Sequence, residues 1–146
     1  MLLADVEARI EANVSTLAGR MQSAAQLAEL IARKALPQVT PAGFVLPLGK
    51  TPRGEGEAAT GVFTQMVDER VGVILVLRGH GDATGKTRLP DLDTLIEATI
   101  AAIVGWGPDD YPGVFRIAGA RLGHFVTGTI VYELDFAIQR QLRIVS

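Results

Sequence analysis

Apolar side chains gather most densely at Val71-Gly72-Val73-Ile74-Leu75-Val76-Leu77, a run rich in β-branched types with Asp68-Glu69-Arg70 before it and Arg78 and glycines after it. Its length and its charged bounds predict a buried central strand rather than a helix. A strand of that kind is covered on both faces, so the rest of the chain must supply neighbouring strands and at least one helix with a wide apolar face.

The flanking patterns supply those parts. Leu2, Leu3, Val6 and Ile10 recur at helical spacing between Asp5, Glu7, Arg9 and Glu11, which predicts an amphipathic helix over 2–12 that loosens at Asn13-Val14-Ser15. A second helix is predicted over 23–34, with a Leu27, Leu30, Ile31 stripe padded by alanines, Ser23 as N-cap, Lys34 at the negative end of the dipole and Pro37 as the stop. Residues 41–48 read as a short strand, at an edge or ending there because Pro47 lacks a backbone donor. Gly49–Thr60, with its glycines, Pro52 and charges of both signs, reads as a flexible surface loop. From Gly61 the chain is extended again and flows into the central strand. A bend or bulge near Asp68–Arg70 would set the charged triplet at a rim; a hairpin turn there is the alternative, with no Gly, Asn or Pro to make it.

Gly79–Arg88 is a polar glycine-rich loop, and Pro90 suits the first turn of the next helix. The helix 90–104 carries Leu92, Leu95, Ile96, Thr99, Ile100, Ile103 and Val104 on one continuous face, and Gly105, Gly107 and Pro108 end it. Two strands follow. In 113–122, Gly119 breaks the pattern as a bulge would. In 129–142, Ile130, Tyr132, Leu134, Phe136 and Ile138 alternate with Val131, Glu133, Asp135, Ala137 and Gln139, as in an antiparallel strand with one wet face. Val126-Thr127-Gly128 makes the turn between them. The expected fold is therefore α+β: a mostly antiparallel twisted sheet of four to five strands, packed by the long amphipathic helix 90–104 and by N-terminal helices, in a single domain over 1–146.

Composition narrows the chemistry. With 146 residues, 48% hydrophobic and 21% charged, the chain has the balance of a folded domain that needs no staple. A formal charge of -2 gives no basic excess to advertise nucleic-acid binding. The absence of cysteine removes disulfides, thiol catalysis and thiolate metal sites together. The acidic start lacks the basic and apolar regions of a signal peptide, and no apolar run is long enough to span a membrane, so a soluble protein made inside the cell is expected.

The most conspicuous motif is Gly79-His80-Gly81-Asp82-Ala83-Thr84-Gly85-Lys86-Thr87, placed between a strand and a helix as a phosphate loop would be. The phosphate-loop pattern needs glycine five positions before Gly85, where His80 stands, and Arg88-Leu89-Pro90 delays the helix past Lys86-Thr87. His80 and His124 are isolated, too few for a metal site. Glu133 and Asp135 share one strand face; paired carboxylates there could do acid–base work, but a solvated face is the simpler reading. Ser15, Ser23 and Ser146 sit in no nucleophile elbow, and Trp106 reads as a core plug. The expectation is no catalysis, no cofactor and no metal.

One segment asks for a partner. Gln139–Ser146 extends the last strand past any assignable neighbour, alternating apolar residues with Arg140 and Arg143 and glutamines, which suits pairing with a neighbouring subunit; a frayed terminus is the alternative.

Ala42-Gly43-Phe44-Val45-Leu46-Pro47, then Thr64-Gln65-Met66-Val67-Asp68-Glu69-Arg70, then Gly105-Trp106-Gly107-Pro108, then Gly119-Ala120-Arg121-Leu122 and Val131-Tyr132-Glu133-Leu134-Asp135-Phe136 follow in an order that resembles the phage tail terminator (tail completion) family of long-tailed phages, over about residues 24 to 138. Gly119-Ala120-Arg121-Leu122 stands where a Gly-Gly-Arg-Leu turn would be expected. The resemblance implies a virion assembly protein of the tail or neck, assembled in the host cytoplasm. It would form a homo-hexameric ring on the head-proximal end of the tail tube, end tube polymerisation and meet the head-completion or connector protein. Genome DNA would pass through the lumen without sequence-specific binding. Partner contacts are expected at Arg53, Glu55 and Glu57, at His80, Asp82, Lys86 and Arg88, and at Arg140 and Arg143. Another neck or head–tail joining protein, or a small nucleotide-binding domain using the 79–87 loop, are the rival readings.

Overall fold

The apolar run does form the central strand of the computed structural model, which describes residues 1–78, 89–126 and 128–146. The strand, β4, is longer than the run itself and spans Val62–Arg78. On one side it pairs antiparallel with β6 (Thr129–Val145) along its whole length, from Val62↔Val145 to Arg78↔Thr129. On the other side β2 (Ala42–Pro52) takes Val67–Val76 and β3 (Glu57–Ala59) takes Val62–Thr64. A parallel β1 (Met21–Ser23) lies outside β2, and β5 (Arg116–Val126) lies outside β6. The six-stranded sheet has the order β1-β2-β4-β6-β5, with β3 off that path on β4. The α+β class is the expected one. Its two strands beyond the long ones, β1 and β3, are three residues each, too short to carry a readable alternation.

Alternation along β4 and β6 decides which face is the core. Val71, Val73, Leu75 and Leu77 share a face with Ile130, Leu134, Phe136 and Ile138, and all are buried. There α1 (Leu2–Asn13) and α3 (Leu89–Ile103) pack, burying Val6, Ile10, Leu95, Ala102 and Ile103. The opposite face is covered at one end by α2 (Ala24–Ala32), whose Leu27 and Leu30 rest on Ala42, Phe44 and Val76. Ser23 caps α2 as expected, in a reciprocal box with Gln26. Arg78 ties the stretch after α2 to the sheet: its backbone N–H donates to Thr40 Oγ1 at 3.2 Å and its guanidinium to the Pro37 carbonyl at 2.9 Å.

Several expectations need correction. Val104 is not part of the buried face of α3; it is 39% exposed, because the helix ends at Ile103 and Gly105, at φ +83°, turns the chain away. Gly49–Thr60 is not one loop. Its first residues continue β2 in register with Val67–Arg70, and Glu57–Ala59 form β3. The segment is polar because solvent lies on both sides of it there. The irregularity expected in β4 near Asp68–Arg70 sits on the partner strand, between Pro47 and Gly49 of β2. The bulged Leu48 lies over Gly72, where a Cβ would come within 3.2 Å of its side chain, which accounts for a glycine inside the apolar run. No hairpin interrupts β4. The last segment of the chain is also not unpaired, since it runs along Val62–Val67 of β4 as far as Val145. Pro47 is placed as expected, on a stretch of β2 whose outer side β1 does not reach. The expected break at Gly119 is a register shift between Ile117 and Gly119.

The Gly105-Trp106-Gly107-Pro108 motif is a clasp. The Gly105 N–H donates to the Phe115 carbonyl at 2.9 Å, and the Phe115 N–H to the Trp106 carbonyl at 2.8 Å. The Trp106 ring stacks on Phe115 with centroids 5.9 Å apart. The Arg9 guanidinium lies 5.3 Å from the same indole, and its Nε donates to the Ala102 carbonyl at 2.9 Å. Trp106 therefore joins α1, α3 and the approach to β5, a packing role as expected.

Candidate assembly surface

The charged triplet expected at a rim lies inside the sheet, its members alternating between the two faces. Glu69 and Asp68 are each only 8% exposed. On the helix-bearing face, Glu69 accepts from Arg140 Nη1 at 2.6 Å and from the Tyr111 hydroxyl at 2.9 Å, with Lys50 Nζ at 4.0 Å. On the other face, Asp68 Oδ2 accepts from Arg116 at 3.0 Å and lies 3.6 Å from Arg53 Nε, while Oδ1 is buried without a protein partner. Beside it Asp135 is held between Arg70 at 3.4 Å and Arg121 at 3.0 Å, and Arg121 also reaches Glu133 at 3.2 Å. Cross-strand register sets these contacts: Arg70 is opposite Ala137, and Glu133 is opposite Arg121. Glu133 and Asp135 do share a face, but Asp135 is buried in ion pairs and not solvated.

These contacts perturb the groups that make them. Burial, followed by the hydrogen bond to Glu69, pushes the Tyr111 hydroxyl up to about 12. Hydrogen bonding to Asp135 raises the Arg121 guanidinium, and hydrogen bonding to Glu69 raises that of Arg140, above the ordinary arginine range.

Past these pairs the sheet continues as an arm that contributes no residue to the buried apolar clusters. It consists of β3, the start of β4 and the end of β6. Glu57–Ala59 and Arg143–Ser146 are exposed and Val62–Met66 half-buried. Of the residues expected at partner contacts, five fall here or at its base. Arg53 and Arg140 are engaged within the chain by Asp68 and Glu69. Glu55, Glu57 and Arg143 are exposed and make no ion pair among the described residues. His80, Asp82, Lys86 and Arg88, with the 79–87 motif, lie outside the described residues. Sequence reasoning missed Lys50, Arg116 and Arg121 as ion-pair partners of the buried carboxylates, and Tyr111 as a hydrogen-bond donor to Glu69. The signal for them was the triplet itself: three consecutive charges in an extended run that leads straight into buried strand demand partners. Among the described residues no three His, Cys, Asp or Glu side chains are grouped to hold a metal ion, and no helix is long and apolar enough to cross a membrane.

The sheet thus runs on beyond its own core with charged groups along it. Residues 2–145 match the phage tail terminator family, and the chain belongs to that family. It is thus a structural protein of phage tail assembly, located in the virion tail. No curated protein matches the chain significantly.

Proposed function

We propose that the protein closes the head-proximal end of the tail tube as a hexameric ring, ends tube polymerisation there and offers the head-completion or connector protein its landing surface. Genome DNA passes through the lumen without sequence readout. The supporting observation is the arm, taken with family membership over 2–145: a stretch of sheet that adds nothing to the core serves contacts outside the chain. Heterologous contacts of one kind, repeated by rotation, close into a ring. The protein works without catalysis or a cofactor in this reading, and assembly takes place in the host cytoplasm.

Electron microscopy of the tail-tube protein polymerised with and without this protein tests the proposal. We expect a six-fold ring at one end of each tube and arrested growth when it is present. Tubes that lengthen regardless, with bare ends, overturn it. For the absence of nucleotide chemistry, calorimetric titration with ATP and magnesium is expected to give no binding heat; tight binding lost in Lys86→Ala overturns that part.

A further inference from the structure

The arm has two open edges of opposite character. Ser146 donates its N–H to the Gly61 carbonyl at 2.9 Å, which makes Gly61/Ser146 a hydrogen-bonded pair of the β4–β6 ladder. By alternation Ile144, Leu142 and Arg140 also turn their backbone groups toward β4, and Gln141, Arg143 and Val145 turn theirs away from it. The bond from the Arg53 N–H to the Met66 carbonyl at 2.8 Å agrees, since it places that carbonyl on the side of β4 away from β6. Gly113 comes close to the Gln139 backbone, within 3.4 Å of its oxygen for a Cβ built there. Beyond it, β5 has ended at Arg116↔Ala137 and no described residue pairs with the outer side of Gln141–Val145. Across the arm, β3 pairs only with β4, and the same alternation turns Ala58 outward.

Natural sheets blunt their edges with bulges, proline or cover. The outer edge of β5 has two register shifts, and that of β2 carries β1, Pro47 and Pro52. The end of β6 has neither bulge nor proline. On one face of the arm Arg143, Thr64 and Glu57 form a single row across the three strands, and the adjoining row on the other face is Ile144, Phe63, Ala58. The row thus starts with an unpaired cation on the β6 edge and ends with an unpaired anion on the β3 edge.

We propose that subunits of the ring join edge to edge through these arms, the outer side of β6 in one copy taking the outer side of β3 in the next. This rests on the ring reading above. β3 and β6 both run antiparallel to β4, so they run in the same direction, and a rotation that carries the sheet into the next subunit preserves it; the joint is parallel. In the register that continues the rows, Arg143 lies beside Glu57 of the second copy, and Ile144 beside Ala58. The outward Arg143 carbonyl then accepts from the outward Ala58 N–H, as a parallel ladder requires. Pairing β6 with β6 of a second copy about a two-fold axis centred on Arg143 instead sets the two Arg143 side chains against each other and leaves Glu57 without a partner, which disfavours it.

The test uses the lack of native cysteine. Glu57 and Arg143 flank Thr64 two strand spacings apart, roughly 9.5 Å, beyond the ~7 Å Cα limit for a disulfide. Glu57→Cys and Arg143→Cys in one chain therefore cannot bridge within that chain. Oxidation of the assembled double variant is expected to give a covalent ladder ending at the hexamer, and the single variants dimers at most. In parallel, Arg143→Glu is expected to raise the concentration for half-assembly by about fivefold, ~1 kcal/mol per joint, and Arg143→Glu with Glu57→Arg to restore it. Both positions are exposed, so circular dichroism should show an unchanged fold. Rings seen by mass photometry without a ladder, or without rescue by the charge swap, overturn this joint and leave the ring. No ring at any concentration, with or without the tube, overturns the ring reading and the joint with it.

Discussion

Among the described glycines, Gly107 leaves the least room for a side chain. A Cβ there would clash with the Gly113 carbonyl oxygen, which is backbone and cannot swing aside. Gly107→Ala is expected to cost about 2–4 kcal/mol, a loss visible in chemical denaturation as a lower midpoint at constant slope. Glu69 is the most dependent of the charged groups. Glu69→Ala leaves Arg140 and Tyr111 without their acceptor at a nearly buried site, and about 3 kcal/mol of stability should go with it in the same measurement. Tyr111 sets an alkaline limit. Its folded pKa, raised by burial and Glu69 to about 12, exceeds the unfolded value of 10.0, so the unfolded chain holds fewer protons between those values and stability falls as pH rises through that window. Below pH 10 the contribution is fully present. Tyr111→Phe should lose the hydrogen bond but show a shallower decline of melting temperature between pH 10 and 12 than the parent.

At the level of elements, what could be read in the sequence was set by how far an element's pattern exceeds its length. The apolar run 71–77 and the helical stripes of α1 and α3 were plain because burial on a defined face imposes a period. β1 and β3 were not, because three residues hold no period and their pairing is decided by neighbours distant in the chain. Residues 49–52 and 57–59 are strand and not loop, and the sequence hides this for a related reason: composition reports exposure, and an uncovered strand is as exposed as a loop. The same limit hid the ion-pair partners. Asp68 and Glu69 showed that partners must exist, but Arg116 and Arg140 reach them only through the register of β5 and β6. The expected contact residues Glu55, Glu57 and Arg143 were legible as exposed charge. A removable element checks the division between core and arm. Deleting residues 142–146 takes away none of the fully buried side chains, so the melting temperature should drop by only a few degrees while self-assembly is lost.

For the molecule as a whole, one cluster links α1, α3 and the central strands, with Leu134 and Phe136 wholly inside it. Leu134→Ala is expected to cost 2–5 kcal/mol and to lower a single calorimetric transition rather than split it, which also tests the reading of 1–146 as one domain. The two long strands have a mechanical consequence. β4 and β6 are paired rung by rung from Val62↔Val145 to Arg78↔Thr129, with no offset along the way. A tug applied at the tip along the strand direction is therefore resisted as shear by every rung at once, since none can part before the rest. The tip behaves as a stiff spoke rooted in the hub, and strain arriving from outside is delivered to the buried core.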